Sequence, residues 1–132
     1  MSETFLWPVR VYYEDTDAGG VVYYANYLRF MERARTEWLR RIGVEQDALR
    51  VEQGVIFVVV AVDIQYQSPA RFNDALEVSV SVTELKHASL TFAQRVFRGD
   101  ESLCQANVRV GCVNAETLRP SRLPRGLKEA AA

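Results

Sequence analysis

The order of apolar and polar residues divides this chain into one long helical segment and several extended ones. From about Ala25 the apolar positions Tyr27, Phe30, Met31, Ala34, Trp38 and Ile42 recur at steps of three and four, which gathers them on one helix face. Arg33 and Glu37, and Glu37 and Arg41, stand four apart on the other side, where opposite charges support a helix. Asn26 is the expected N-cap and Gly43 the expected stop. Ahead of this helix, Phe5 to Tyr13 is rich in aromatic and β-branched residues and reads as a strand, with Pro8 tolerable at a sheet edge. Glu45 to Glu52 predicts a short second helix before Gly54.

Beyond Gly54 the pattern becomes extended. Val55 to Val62 is apolar on both faces and predicts a central strand covered on both sides. Ser68 to Asp74 reads as a connection. Leu76, Val78, Val80 and Val82 then alternate with Glu77, Ser79, Ser81 and Thr83, as in a half-buried strand. Leu90 to Phe97 predicts another, followed by a turn at Arg98 to Glu101. Cys104, Ala106, Val108, Val110 and Cys112 supply one face of the last strand, and the tail with Pro120 and Pro124 reads as irregular. Apolar alternation assigns Phe57, Tyr66, Phe72 and Phe92 to the core by default. Strand, helix, then four strands is an α+β order, in one domain spanning residues 1–132. A single sheet packs such a helix on one face only. Its other face and its edges need water, another layer or another subunit, so a homo-oligomer is expected.

Composition adds exclusions. Hydrophobic residues make up 48%, enough for a core without a metal or disulfide staple. With 16 basic and 17 acidic side chains and a formal net charge of −1, the chain lacks the basic excess of a nucleic-acid binder. Met1 to Pro8 has no basic stretch followed by a long apolar run, and Val55 to Val62 is too short to span a bilayer as a helix. Cys104 and Cys112, on one strand, would lie about 27 Å apart at about 3.3 Å per residue, too far for a disulfide. Two buried thiols in a reducing cytoplasm, with no metal framework, are expected.

Candidate chemistry concentrates in Tyr13-Glu14-Asp15-Thr16-Asp17-Ala18-Gly19-Gly20-Val21-Val22-Tyr23-Tyr24-Ala25-Asn26-Tyr27. Asp15, Asp17, Gly19 and Gly20 lie between the first strand and the main helix. A helix start presents unpaired backbone N–H groups and positive potential, and glycines there let a substrate approach the main chain. A carboxylate beside such donors is available as base or nucleophile, and the donors can hold a carbonyl oxygen as it gains charge. That pairing suits acyl transfer. Spacing alone favours the plainer reading, a turn in which Asp15 and Asp17 cap the helix or bind loop amides.

The motif Tyr-Glu-Asp-Thr-Asp-Ala-Gly-Gly-Val-Val-Tyr, continued by Asn26-Tyr27 and Phe30-Met31-Glu32-Arg33-Ala34-Arg35, resembles the 4-hydroxybenzoyl-coenzyme A thioesterase family. Within it the likeness is to the YbgC-like acyl-CoA thioesterases associated with the Tol–Pal system, and it extends through Tyr66 to Arg71 and Ser89 to Phe92. The resemblance implies a hotdog fold, a five-stranded antiparallel sheet wrapped around one long central helix. It implies hydrolysis of an acyl-CoA to free acid and CoA, with no cofactor beyond the CoA of the substrate. Subunits would pair as a homodimer or homotetramer, with active sites at the interface; an acyl-carrier protein is a second candidate partner.

Asp17 matches the catalytic carboxylate, as base or nucleophile, and Asp15 a loop-shaping position. The Tyr24 N–H would stabilise the oxyanion, with Gly19, Gly20 and Asn26 lining the substrate. Lys86 and Ser89 would meet the pantetheine or nucleotide of CoA. Arg71 is open between a phosphate ligand and an ion pair with Asp74 or another acid. YbgC-like members often carry histidine where this chain has Tyr24; the imidazole is lost but the backbone N–H is not. His87, the only histidine, lies in a connection between strands and reads as an exposed loop residue. The alternative is a non-catalytic protein that binds acyl-CoA or acyl-carrier protein without turnover. A hotdog hydratase or dehydratase would need a base at the acyl α-carbon, commonly histidine.

Overall fold

The structure is a computed structural model that describes residues 4–131; Met1, Ser2 and Glu3 of the stretch read above for a leader lie outside it, as does Ala132. Strand β1 (Phe5–Arg10) leads through a single turn of 3-10 helix, Tyr13–Asp15, and a loop into helix α1 (Asn26–Arg41). Helix α2 (Gln46–Gln53) follows, then strands β2 (Val55–Tyr66), β3 (Ala75–Leu85), β4 (Ser89–Arg98) and β5 (Glu101–Asn114), and a short helix α3 (Leu127–Ala131). The five strands form one antiparallel sheet in the order β1-β3-β4-β5-β2. This is the α+β arrangement the alternation predicts.

Helix α1 lies across β1, β3 and β4. Its predicted apolar face is the buried one: Phe30, Met31, Ala34 and Trp38 pack with Leu76, Val78, Val80 and Val82 of β3 and Leu90, Phe92 and Val96 of β4. The Trp38 ring meets Phe92 edge-on, with centroids 5.4 Å apart. Beyond the helix, Gly43 takes φ +91°, a left-handed conformation that costs glycine little. Pro8 sits on edge strand β1 opposite Glu77, where its missing N–H breaks no interior ladder. Cys104 and Cys112 are both buried and unpaired on β5, and burial pushes the Cys104 thiol up to about 12.

Several expectations change. The run Val55–Val62 does not belong to a central strand: β2 is the sheet edge opposite β1, and Val59, Val60 and Val62 are 49%, 50% and 41% exposed. An apolar edge strand reads like a central one because the two-sided pattern records cover without saying which molecule supplies it. Strand β1 stops at Arg10 because the next amides leave the ladder: Val11 N–H donates to Asp74 O and Tyr12 N–H to the Asp15 carboxylate. Asn26 does not cap α1. The cap position is Ala25, with no side-chain bond, and Asn26 is the first helical residue. Tyr66 and Phe72 are not core: Tyr66 is exposed, and Phe72 stacks on Tyr13 at 4.0 Å on the surface. The tail is not wholly irregular, since α3 buries Leu127 and Ala131 at a four-residue spacing against the core. Among the described residues, no helix is long and apolar enough to cross a membrane.

Candidate active site

The loop between β1 and α1 is built around Asp15. This residue is 4% exposed; its Oδ2 accepts from Tyr12 N–H at 2.8 Å, its Oδ1 from Asn26 Nδ2 at 2.8 Å, and its backbone carbonyl from Tyr23 N–H at 2.9 Å. One carboxylate therefore ties the strand exit to the helix entrance. Asn26, expected to line the substrate, spends its amide donor on this tie and is itself buried. Asp15→Ala orphans the Tyr12 N–H and the buried Asn26 amide and is expected to cost about 3 kcal/mol. Thermal unfolding should show a drop of roughly 10 °C; an unchanged midpoint would contradict this role.

Asp17 shares in the turn with one side-chain oxygen only. Asp17 is exposed; its Oδ1 accepts from Gly19 N–H at 2.8 Å, and its Oδ2 has no hydrogen-bond partner among the described residues. The loop closes on itself, with Asp17 N–H donating to Val21 O at 2.9 Å and Gly20 N–H to Asp17 O at 3.0 Å. Gly20 needs φ +80°, and a Cβ on Gly19 would stand 3.2 Å from Asp17 Oδ1. The two glycines thus serve the carboxylate's geometry, and their amides are already used within the loop. Bridges Thr16–Val22 and Val21–Arg71 hold the loop down, and Val22 N–H donates to Ala70 O. Ala70 N–H in turn donates to the buried Tyr27 hydroxyl, whose pKa burial raises while the Ala70 amide opposes the rise.

At the start of α1, Tyr24 and Ala25 N–H have no acceptor among the described residues. The Tyr24 carbonyl accepts from Tyr66 Oη at 3.0 Å, which pins the peptide while the Tyr24 ring stays 61% exposed. Open amides at a helix start can hold a developing oxyanion, and a carboxylate with one free oxygen, in the loop leading to that helix, can activate its attacker. The apolar alternation offers Tyr66 only as core or as lining for an acyl tunnel, and so masks a hydroxyl directed at the helix start.

Arg71 belongs beside this loop through the Val21 bridge, but not as the expected partner of Asp74. Asp74 Oδ2 pairs instead with Arg98 Nη1 at 2.7 Å and accepts Arg71 only through its backbone N–H, at 2.8 Å. Partial burial raises the Asp74 pKa, yet the Arg71 amide and the Arg98 guanidinium together hold it below the usual carboxylate range. The Arg71 side chain is left exposed and without an ion pair among the described residues.

Lys86 and Ser89 are not brought to Asp17 within one chain. They close the β3–β4 hairpin, Lys86 N–H donating to Ser89 O at 2.8 Å, at the far end of β3 from Ala75. Lys86 Nζ stands 3.5 Å from Glu84, and His87 is exposed as expected. This hairpin lies beside the start of β2, since Ser89 pairs Gly111 and Gly111 pairs Val58. Among the described residues, no three His, Cys, Asp or Glu side chains converge as metal ligands.

Comparison with known proteins gives this geometry a context. A family model described as the thioesterase-like superfamily matches residues 11–131. An acyl-CoA thioester hydrolase YbgC of Escherichia coli is 48% identical over 93% of this chain and 92% of its own length. An acyl-CoA thioesterase YbgC of Haemophilus influenzae is 48% identical over 96% of this chain and 93% of its own. The crystal structure of a probable thioesterase from Bartonella henselae aligns with TM-score 0.89 at 34% identity, over 92% of this chain and all of that one. The hotdog fold expected from the sequence is the fold observed.

Proposed function

Because the chain belongs to the thioesterase-like superfamily, we propose that it hydrolyses acyl-CoA thioesters, with Asp17 as the reacting carboxylate. The observation that carries this reading is Asp17 Oδ2, free of protein partners among the described residues, in the loop that leads into the helix start where the Tyr24 and Ala25 amides are unpaired. The thioester oxygen sits against those amides. Asp17 either takes a proton from an attacking water or attacks the carbonyl carbon to form a mixed anhydride that water then cleaves. In both routes the C–S bond breaks, the sulfur leaves with the electron pair and gains a proton, and water supplies the second oxygen of the acid. In either route the amides stabilise the negative charge on the thioester oxygen in the tetrahedral intermediate. The acyl-CoA names of the YbgC relatives support this substrate class. A reducing cytoplasm, where CoA esters are made, fits the buried free thiols.

The working unit in this proposal is a pair of copies joined through β2. That strand is an apolar edge, and an unprotected edge is a template for another strand. Two-fold pairing of antiparallel strands sets the Tyr66 end of one β2 beside the Val55 end of the other. Tyr66 is bonded to Tyr24, and the Lys86–Ser89 hairpin lies at the Val55 end. One copy's Asp17 loop then meets its partner's hairpin, which reunites the site residues that a single chain separates.

The test is CoA thiol release from a panel of acyl-CoAs, read with a thiol reagent. Turnover is expected; saturable binding without release would identify a non-catalytic binder of acyl-CoA or acyl-carrier protein. Because position 24 acts through its N–H, Tyr24→Phe is expected to keep kcat within about threefold of wild type. A loss of about 100-fold in the same assay would mean that the hydroxyl, not the peptide, does the chemistry.

A further inference from the structure

Strand β4 turns Leu90, Phe92, Gln94 and Val96 toward α1, and Gln94, 1% exposed, is the polar member of that row. Its Nε2 donates to Met31 O at 3.0 Å and to Ser79 O at 3.4 Å, which fixes the amide so that Oε1 points at Arg35. Arg35 Nη1 donates to that oxygen at 2.9 Å. Arg35 lies on α1 between Met31 and Leu39, both buried, and among the described residues no carboxylate reaches it at ion-pair distance. No buried side-chain nitrogen lacks a partner, so the rest of the guanidinium opens outward. It opens into a cleft of about 120 Å³ between α1 and β2, walled by Leu39, Phe57, Leu90, Phe92 and Val110.

With one neutral acceptor, Gln94 Oε1, and no ion pair among the described residues, a partly buried guanidinium there favours a nearby anion. Burial lowers the Arg35 pKa, with Glu32, one turn back, opposing the fall. Glu32 does not neutralise Arg35 directly: it is exposed at the rim, and its Oε2 accepts from Thr36 Oγ1 at 2.6 Å. The cleft lies at the Val55 end of β2, where β2 pairing sets the partner's Asp17 loop.

We propose that Arg35 reads the far end of the acyl group, and that the preferred substrates are CoA thioesters of short dicarboxylic acids. The apolar walls take the methylenes, and the guanidinium takes the terminal carboxylate through the donors that Gln94 leaves free. This rests on the thioesterase reading and on the paired site.

The test compares kcat/KM for succinyl-CoA and butyryl-CoA, which have acyl chains of equal carbon count, in wild type, Arg35→Met and Arg35→Lys. Wild type is expected to favour succinyl-CoA at least about tenfold, and Arg35→Met to lower the succinyl value at least about 30-fold more than the butyryl value. Arg35→Lys, which keeps the charge without the planar fork, should fall between them and serves if the methionine variant does not fold. A wild-type preference for butyryl-CoA, or an equal loss on both substrates, overturns the proposal; an equal loss would reduce Arg35 to a tie between α1 and β4. Should wild type release thiol from no member of the acyl-CoA panel, the hydrolase reading fails by itself. The same preference must then appear in the dissociation constants, and equal constants overturn this inference too.

Discussion

Asp17→Asn is expected to lower kcat by about 100-fold or more, at least about 3 kcal/mol of barrier, while leaving the fold intact. The reason lies in how the two oxygens of this carboxylate are used. Oδ1 accepts the Gly19 N–H, and an asparagine carbonyl accepts it equally well, so the turn through Gly20 survives. Oδ2 is the atom that changes: an amide nitrogen in its place neither takes a proton from water nor attacks a carbonyl. The core packs elsewhere, around Phe30, Met31 and Phe92, so circular dichroism and the thermal midpoint should match wild type. A fall in kcat with little change in KM marks loss of an interaction made in the transition state. A variant that keeps wild-type turnover removes Asp17 from the chemistry, and one that unfolds assigns it to structure.

Val60→Glu addresses the shared site. Val60 is half exposed near the middle of edge strand β2, where the ladder to β5 shifts register between Val59 and Ala61. Two-fold pairing of this strand brings residues near its middle against their own copies, so a single substitution sets two carboxylates face to face. Desolvating that pair is unfavourable as well. The variant is expected to sediment as a monomer and to lose about 100-fold in turnover, while each chain keeps its sheet. Sedimentation and thiol release, measured on one preparation, decide the matter. A monomer with wild-type turnover would show that one chain carries a complete site.

Much of this architecture is legible before any coordinates. Helix α1 announces itself because Tyr27, Phe30, Met31, Ala34 and Trp38 must share a face, and β3 because its apolar residues alternate over a full strand length. Spacing alone leaves a turn as the plainer reading of the carboxylate motif, and the family resemblance is what singles out Asp17 and gives Asp15 the loop; the structure adds the bonds, with both Asp15 oxygens tied and one Asp17 oxygen free among the described residues. What stayed hidden was long-range. Asp74, three residues away, is the nearest acid for Arg71 in sequence, but the sheet delivers Arg98 from β4. Lys86 and Ser89 are assigned to substrate by resemblance, yet strand length carries them to the other end of the sheet. Arg35 and Gln94 are 59 residues apart, and their contact exists only once α1 lies on β4. A signal was present nonetheless: Gln94 occupies an inward register between Phe92 and Val96, and Arg35 stands four residues from both Met31 and Leu39.

The most direct test pairs two readings on the same acyl-CoA: CoA thiol release by the wild-type chain, and equilibrium binding of that thioester to Asp17→Asn. Wild type is expected to complete many turnovers per site, and the variant to bind the thioester about as tightly as the wild-type KM suggests yet leave it uncleaved. Cleavage by the variant at the wild-type rate, or binding by wild type without any release, would contradict this expectation.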